Sequence, residues 1–220
     1  MRHPIRVVVP ALAVLAAAGA LTGCGADAKP APDAAPDKAP HAAATTAAAG
    51  SGTDAGAAKA AASVGAPGTA CALPVSFGLA ADWKPQAVKA TDDEVFAALG
   101  KQGPATMTCE IDAKPAGNIG YLRVWTADKG PARAALEGFV KAEENTSEVS
   151  YKETKAGALP AVEVTYTVYN KLMEESKEER AFAVATPKGT VIVHLGGLDT
   201  EEHREMLPAY ELARTTLKAL

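Results

Sequence analysis

The chain has 220 residues, 48% of them hydrophobic but only 5% aromatic, and a formal net charge of −4. That is enough chain for one domain of ordinary size with a complete core. The acidic excess is spread evenly, 17 Lys and Arg against 22 Asp and Glu over residues 71–220, which argues against nucleic acid as a partner because phosphate binding needs clustered basic side chains.

The first 23 residues have the three parts of a signal peptide: Arg2 and Arg6, an apolar stretch from Val7 to Leu21, and small residues before Cys24. The apolar stretch is about fifteen residues and includes Pro10 and Gly19, short of the roughly 20 that a spanning helix needs. No later segment is apolar enough to span a membrane. Cleaved or retained as an anchor, this segment exports the chain and attaches it. Leu21-Thr22-Gly23-Cys24 is similar at every position to the lipobox of bacterial lipoproteins. The resemblance implies loss of residues 1–23 and a thioether-linked diacylglycerol on Cys24, with the rest of the chain held on the extracytoplasmic face of the cell membrane. Two acyl chains make a stable anchor where one does not.

Cysteine usage fits that compartment. With Cys24 carrying lipid, Cys71 and Cys109 remain, and export supplies the oxidising environment in which they pair. The alternative is two buried free thiols. The loop that the bridge closes would contribute roughly 4 kcal/mol on the chain-entropy relation.

Residues 24–70 are the lipidated cysteine and a spacer rich in Ala, Pro, Asp, Gly and Thr, without an aromatic residue and with Val64 as its only branched aliphatic. Such a segment buries too little surface to offset its ordering entropy. As a coil it would span roughly 35–40 Å. Its Ala and Pro bias points to a GC-rich, actinobacterial source. His41 lies within it.

The globular domain is expected over residues 71–220. Val75, Phe77 and Leu79 alternate with small or polar residues as a half-buried strand. A turn at 82–85 follows, with Trp83 as a core plug, then a short strand over 86–89. Thr91 heads a capping box with Glu94, supported by Asp92 and Asp93 and closed at Gly100, with Val95, Phe96 and Leu99 as the buried face. A hairpin follows. Its first strand, 105–112, points Met107, Cys109 and Ile111 one way; residues 115–118 turn and 119–126 return. Pro131 opens a second helix to about 144, burying Ala135, Leu136, Phe139 and Val140.

The strongest strand pattern comes next. Over 149–155 and 161–171, Val162, Val164, Tyr166 and Val168 line one face, and Glu163, Thr165, Thr167 and Tyr169 the other. Residues 172–178 read as a charged hairpin tip, 180–186 as the returning strand, and 190–195 as a further strand ended by Gly196-Gly197. Asp199 or Thr200 caps a terminal helix that Pro208 splits, packed through Tyr210, Ala213 and Leu217 to about Leu220. Consecutive strands on short turns make an antiparallel sheet covered by one-faced helices, an α+β sandwich. The opening Val75-Ser76-Phe77 strand with Trp83-Lys84-Pro85, the late run of strands, the Gly-Gly turn and the terminal helix resemble the PsbP-like fold. That fold is shared by a photosystem II extrinsic subunit, Mog-type proteins and LpqN-type lipoproteins. The resemblance implies a non-enzymatic binding module and transfers no site residue.

No chemistry-bearing motif stands out. His194, Asp199 and His203 form a His-x4-Asp-x3-His string without the tighter spacing or third N or S ligand typical of zinc, and read as unrelated surface groups. There is no Gly-x-Ser-x-Gly elbow and no free cysteine once the bridge forms. Glu174, Glu175, Glu178 and Glu179 beside Lys171, Lys177 and Arg180 read as a solvated charge run. Gly196-Gly197 before a capped helix offers an anion nest or a plain strand break. Tyr169 on a polar face, with Leu172 and Met173 at the tip, offers either a contact surface for a partner or a tip partly covered by a neighbouring loop. The expectation is therefore a lipid-anchored binding or scaffold module, not an enzyme, with no metal or cofactor, whose partner is an envelope protein or a small ligand. The alternatives are a small-molecule or lipid carrier with a pocket between sheet and helix, or an envelope hydrolase.

Overall fold

The computed structural model describes residues 58–220 except Ala90 and Asp92. The signal peptide over residues 1–23, the Leu21–Cys24 motif, the spacer up to residue 57 and the Asp92 part of the expected cap lie outside the described residues, as do the side chains of Glu94, Val95 and Phe96. The elements are β1 (Ala62–Val64), β2 (Val75–Leu79), β3 (Lys84–Ala87), α1 (Glu94–Leu99), β4 (Lys101–Gln102), β5 (Ala105–Asp112), β6 (Tyr121–Ala127), α2 (Ala132–Lys141), β7 (Thr146–Ala156), β8 (Leu159–Asn170), β9 (Glu175–Thr186), β10 (Gly189–Gly196), α3 (Thr200–Thr216) and β11 (Lys218–Ala219).

An eight-stranded sheet runs in the order β3-β5-β6-β10-β9-β8-β7, with β4 beside β5, and a three-stranded sheet runs β1-β2-β11. Every strand pair in both is antiparallel. Strand β10 is central and buried along its whole length, as its unbroken apolar run Val191-Ile192-Val193 requires. One face of the large sheet carries Ile111, Leu122, Val124, Phe182, Val184, Val193 and Leu195 under α3 and the small sheet. The other carries Trp125, Val162, Val164, Ala181, Ala183 and Ile192 under Leu136, Phe139 and Val140 of α2. The α+β class and the Cys71–Cys109 bridge both stand as expected, the latter with Cα atoms 5.9 Å apart.

Several local expectations are corrected. A bulge between Met107 and Cys109 reverses the alternation, so Met107 pairs with Trp125 and packs on the α2 face while Cys109 and Ile111 pack on the other. Leu99 is 71% exposed rather than part of a buried helix face, because α1 is a short helix beside β4 and not a layer over the sheet. Pro208 sits inside one continuous α3. A proline there removes one hydrogen bond, and burial of Met206, Ala209, Tyr210 and Ala213 on the same sheet face outweighs that loss. Helix α3 ends at Thr216, Leu217 is a buried cap, and β11 then pairs with β2. Val64, within the stretch read as spacer, is fully buried in β1 against β2.

Candidate functional site

Burial changes character along the α2 face of the sheet. Under α2 the strands present Trp125, Ile192, Ala183 and Val162, all buried apolar groups. Helix α2 stops at Lys141, and beyond it the same face turns polar, two residues further along β6 and β10 and four further along β8 and β9. Glu110, Arg123 and His194 are consecutive partners across β5, β6 and β10. Glu179 and Tyr166 are partners across β9 and β8. Lys177 follows Glu179 on the same parity, and Gln102 and Glu143 close the side nearest the end of α2.

These groups are paired closely. Lys177 Nζ lies 2.7 Å from Glu179 Oε1 and donates to the Gly197 carbonyl at 2.9 Å. His194 Nε2 stands 2.8 Å from Glu179 Oε2 and 3.2 Å from the Tyr166 hydroxyl. Arg123 Nε donates to Glu110 at 2.8 Å while its guanidinium lies over the Tyr121 ring at 4.7 Å. Gln102 Nε2 donates to Phe139 O and to Glu143 Oε2, both at 3.2 Å. Phe139 packs edge-on against both Trp125 and His194, with ring centroids 5.3 and 5.5 Å away.

Burial by itself would raise the Glu179 carboxyl pKa, but the charges and hydrogen bonds of His194 and Lys177 outweigh it and hold it below the usual range. The carboxylate is ionised. Burial, reinforced by Glu179, pushes the Tyr166 phenol far up, so it stays a neutral hydroxyl.

A cleft of about 330 Å³ opens on this cluster, lined by Trp125, Arg123, Lys177, Glu179, His194 and Glu143 among others. Three buried atoms of its walls, Trp125 Nε1, His194 Nδ1 and Glu179 Oε2, meet no hydrogen-bond partner of good geometry, the last despite its short approach to His194. Orphaned buried polar atoms cost free energy and are rare in folded proteins; three in one cleft need a reason. Gly196 opens the floor: a Cβ there would lie 3.4 Å from His194 Cε1, 3.5 Å from Glu179 Oε2 and 3.9 Å from an Arg123 nitrogen.

The structure redistributes the residues singled out from sequence. Glu179 is 4% exposed and belongs to the cleft, not to a solvated run; the alternation of β9 puts Glu179 on the face of Ala181 and Glu178 on the opposite face, while Glu175 shares the Glu179 face but stays exposed at the start of the strand. His194 and His203 are both buried rather than superficial. They lie on different elements, β10 and α3, and Asp199 is the α3 cap, accepting from the Glu202 amide at 2.9 Å. Among the described residues no cluster of His, Cys, Asp or Glu could hold a metal ion. Burial, only partly opposed by Glu179, lowers the His203 pKa to about 4, so it is neutral at pH 7. The amide nest near Gly196-Gly197 is already occupied: the Glu202 carboxylate accepts from the amides of Ile119, Gly120 and Leu198. Tyr169, Leu172 and Met173 are exposed at the β8–β9 tip, 42%, 92% and 51% respectively. There the Asn170 side chain accepts from the amides of Leu172 and Met173.

Sequence reading missed Arg123, Trp125, Tyr166, Lys177 and Glu179 as a set. The available signal was parity. Lys177 and Glu179 occupy the same strand face as Ala181 and Ala183, where a half-buried strand carries apolar groups.

Residues 41–217 match a protein family described as an uncharacterised lipoprotein. No curated protein matches the chain.

Proposed function

The chain belongs to that family of uncharacterised lipoproteins, and from this premise we propose a non-catalytic binding module whose cleft takes a small, uncharged, hydroxyl-bearing ligand. In this reading a diacylglycerol on Cys24 anchors it to the extracytoplasmic face of the membrane, as the Leu21-Thr22-Gly23-Cys24 pattern implies. No helix among the described residues is long and apolar enough to cross a membrane.

The observation that carries the ligand class is the trio of unpartnered atoms. Trp125 Nε1 can only donate and Glu179 Oε2 can only accept, while His194 Nδ1 donates or accepts according to its protonation. A hydroxyl both donates and accepts, so one or two hydroxyls answer all three. A carboxylate would meet Glu179, Glu143 and the nearby Glu110 and could not donate. An ammonium would meet Arg123 and Lys177 and leave the indole N–H unanswered. The charged lining groups are already mutually paired, so no net charge calls for a counter-ion. Pockets of this size take small ligands with a few placed polar groups.

The absence of Ser, Thr or Cys side chains from the lining supports a binding role over nucleophilic chemistry. A sheet covered on both faces agrees with the PsbP-like relationship proposed from element order. The polar cleft lies beyond the end of α2, and the sheet–helix interfaces are filled with side chains, which favours a small polar ligand over a chain buried between sheet and helix.

The test is calorimetric titration of the purified full chain carrying Cys24→Ser, which bears no lipid. Neutral monosaccharides and polyols are compared with matched uronic acids and amino sugars. The neutral compounds bind at least tenfold more tightly, and Gly196→Ala removes that binding by filling the floor. Preferential binding of the acids or amines, or no binding of any compound, overturns the proposal.

A further inference from the structure

Lys177 borders more than the cleft. Glu143 and Lys177, which form part of its wall, also line a second groove of about 550 Å³ that runs to the β8–β9 tip past Val168, Tyr169 and Leu172. The two depressions therefore adjoin, with this pair as common wall residues. Large exposed apolar side chains border both: Ile119 at 54% and Leu198 at 47% beside the cleft, Tyr169 and Leu172 along the groove. A hydroxylated ligand confined to the cleft leaves these four without a role.

The groove has its own chemistry. Lys171 and Lys177 are balanced along it by Glu143 and Glu144, so it does not select a charged chain. It is formed by side chains of a helix end and a hairpin tip rather than by a free strand edge, and so offers no ladder of amides to an extended peptide. A groove that carries Val168, Tyr169 and Leu172 among its paired charges, adjoining a polar, charge-balanced cleft, matches a molecule with one hydroxylated and one apolar half.

We infer that cleft and groove form one site for a neutral glycolipid-type amphiphile. Its hydroxylated head sits against Trp125, His194 and Glu179, and its alkyl chain passes over Lys177 toward Tyr169 and Leu172. The inference rests on the cleft reading above and adds the apolar half. The ligand class suits a domain tethered to a membrane, where such amphiphiles are held.

Methyl, hexyl and octyl β-glycosides of glucose, galactose and mannose, each below its micellar concentration, are titrated into the Cys24→Ser full chain. Each buried methylene strengthens binding up to about fourfold, and an open groove returns only part of that. The octyl glycoside is expected to bind at least tenfold more tightly than the methyl glycoside. Leu172→Asn with Tyr169→Asn, both at exposed positions, removes that increment and leaves methyl glycoside affinity unchanged. Gly196→Ala weakens every member of the series. Equal affinity across the series overturns the amphiphile site while leaving the cleft reading intact. Octyl binding that survives Gly196→Ala, or an increment that survives the tip double variant, places the chain elsewhere and also overturns it. Failure of all three lengths removes both readings.

Discussion

Removing the Cys71–Cys109 bridge tests how the domain is held together. The bridge ties the segment before β2 to the middle of β5 across a sequence separation of 38, and both sulfur-bearing residues are buried, 1% and 0% exposed. For a loop of that length the chain-entropy relation gives about 4 kcal/mol at 25 °C, acting through the unfolded state. A domain of this size loses about 2–4 °C in Tm per kcal/mol. Reduction without substitution should therefore lower Tm by roughly 8–16 °C. The Cys71→Ala, Cys109→Ala double variant should fall further, because two sulfur-sized voids open in a core that holds Val64, Trp83 and Ile111. Thermal and urea unfolding followed by circular dichroism on oxidised, reduced and double-variant protein separates these effects. The urea m-value should rise on reduction as the unfolded ensemble expands. A reduced protein that melts within about 3 °C of the oxidised one, with the same m-value, refutes the reasoning.

Other predictions follow from single contacts. Gly157 has φ +55°, and a Cβ there would lie 2.0 Å from the Leu217 carbonyl oxygen; Gly157→Ala should cost at least about 3 kcal/mol in urea unfolding, against about 1 kcal/mol for Gly117→Ala, where only a positive φ and open space are involved. Asp199→Ala removes the α3 cap bond to the Glu202 amide and should lower stability by about 1 kcal/mol, measured the same way. His203 binds its proton at 6.5 when unfolded and at about 4 when folded, so the unfolded chain holds more protons in between. Its contribution is complete above pH 6.5 and is lost as pH falls toward 4, by roughly 3 kcal/mol in all. Unfolding free energies at pH 7.5, 6 and 5 should decline for the wild type and decline less for His203→Gln; parallel slopes would contradict the assignment.

What was legible in the chain was whatever a local period could carry. The alternation of Val162, Val164 and Tyr166 against Glu163 and Thr165 placed β8 and both its faces, and Asp199 or Thr200 marked the start of α3, of which Asp199 is the cap. Local pattern failed where tertiary packing decides. The one-residue bulge after Met107 cannot be seen in composition, and Pro208 reads as a break until four buried neighbours hold the helix through it. The site failed for a related reason. Arg123, Lys177, Glu179 and His194 come from three strands and converge only through sheet register. Glu179 was hidden among three neighbouring glutamates; parity separates it from Glu174 and Glu178, and only its place next to Ala181 separates it from Glu175.

The central claim is that a hydroxyl completes the orphaned groups of the cleft, and the Trp125 indole N–H reports on it directly. The chain has two tryptophans, and Trp83 lies in the other core cluster, so its indole resonance is an internal reference. In a 15N-resolved NMR titration with the tightest neutral sugar, the Trp125 Nε1–H signal should move downfield and saturate while Trp83 stays in place, and Gly196→Ala should abolish the shift. A Trp125 resonance that stays fixed at saturating ligand would contradict the account.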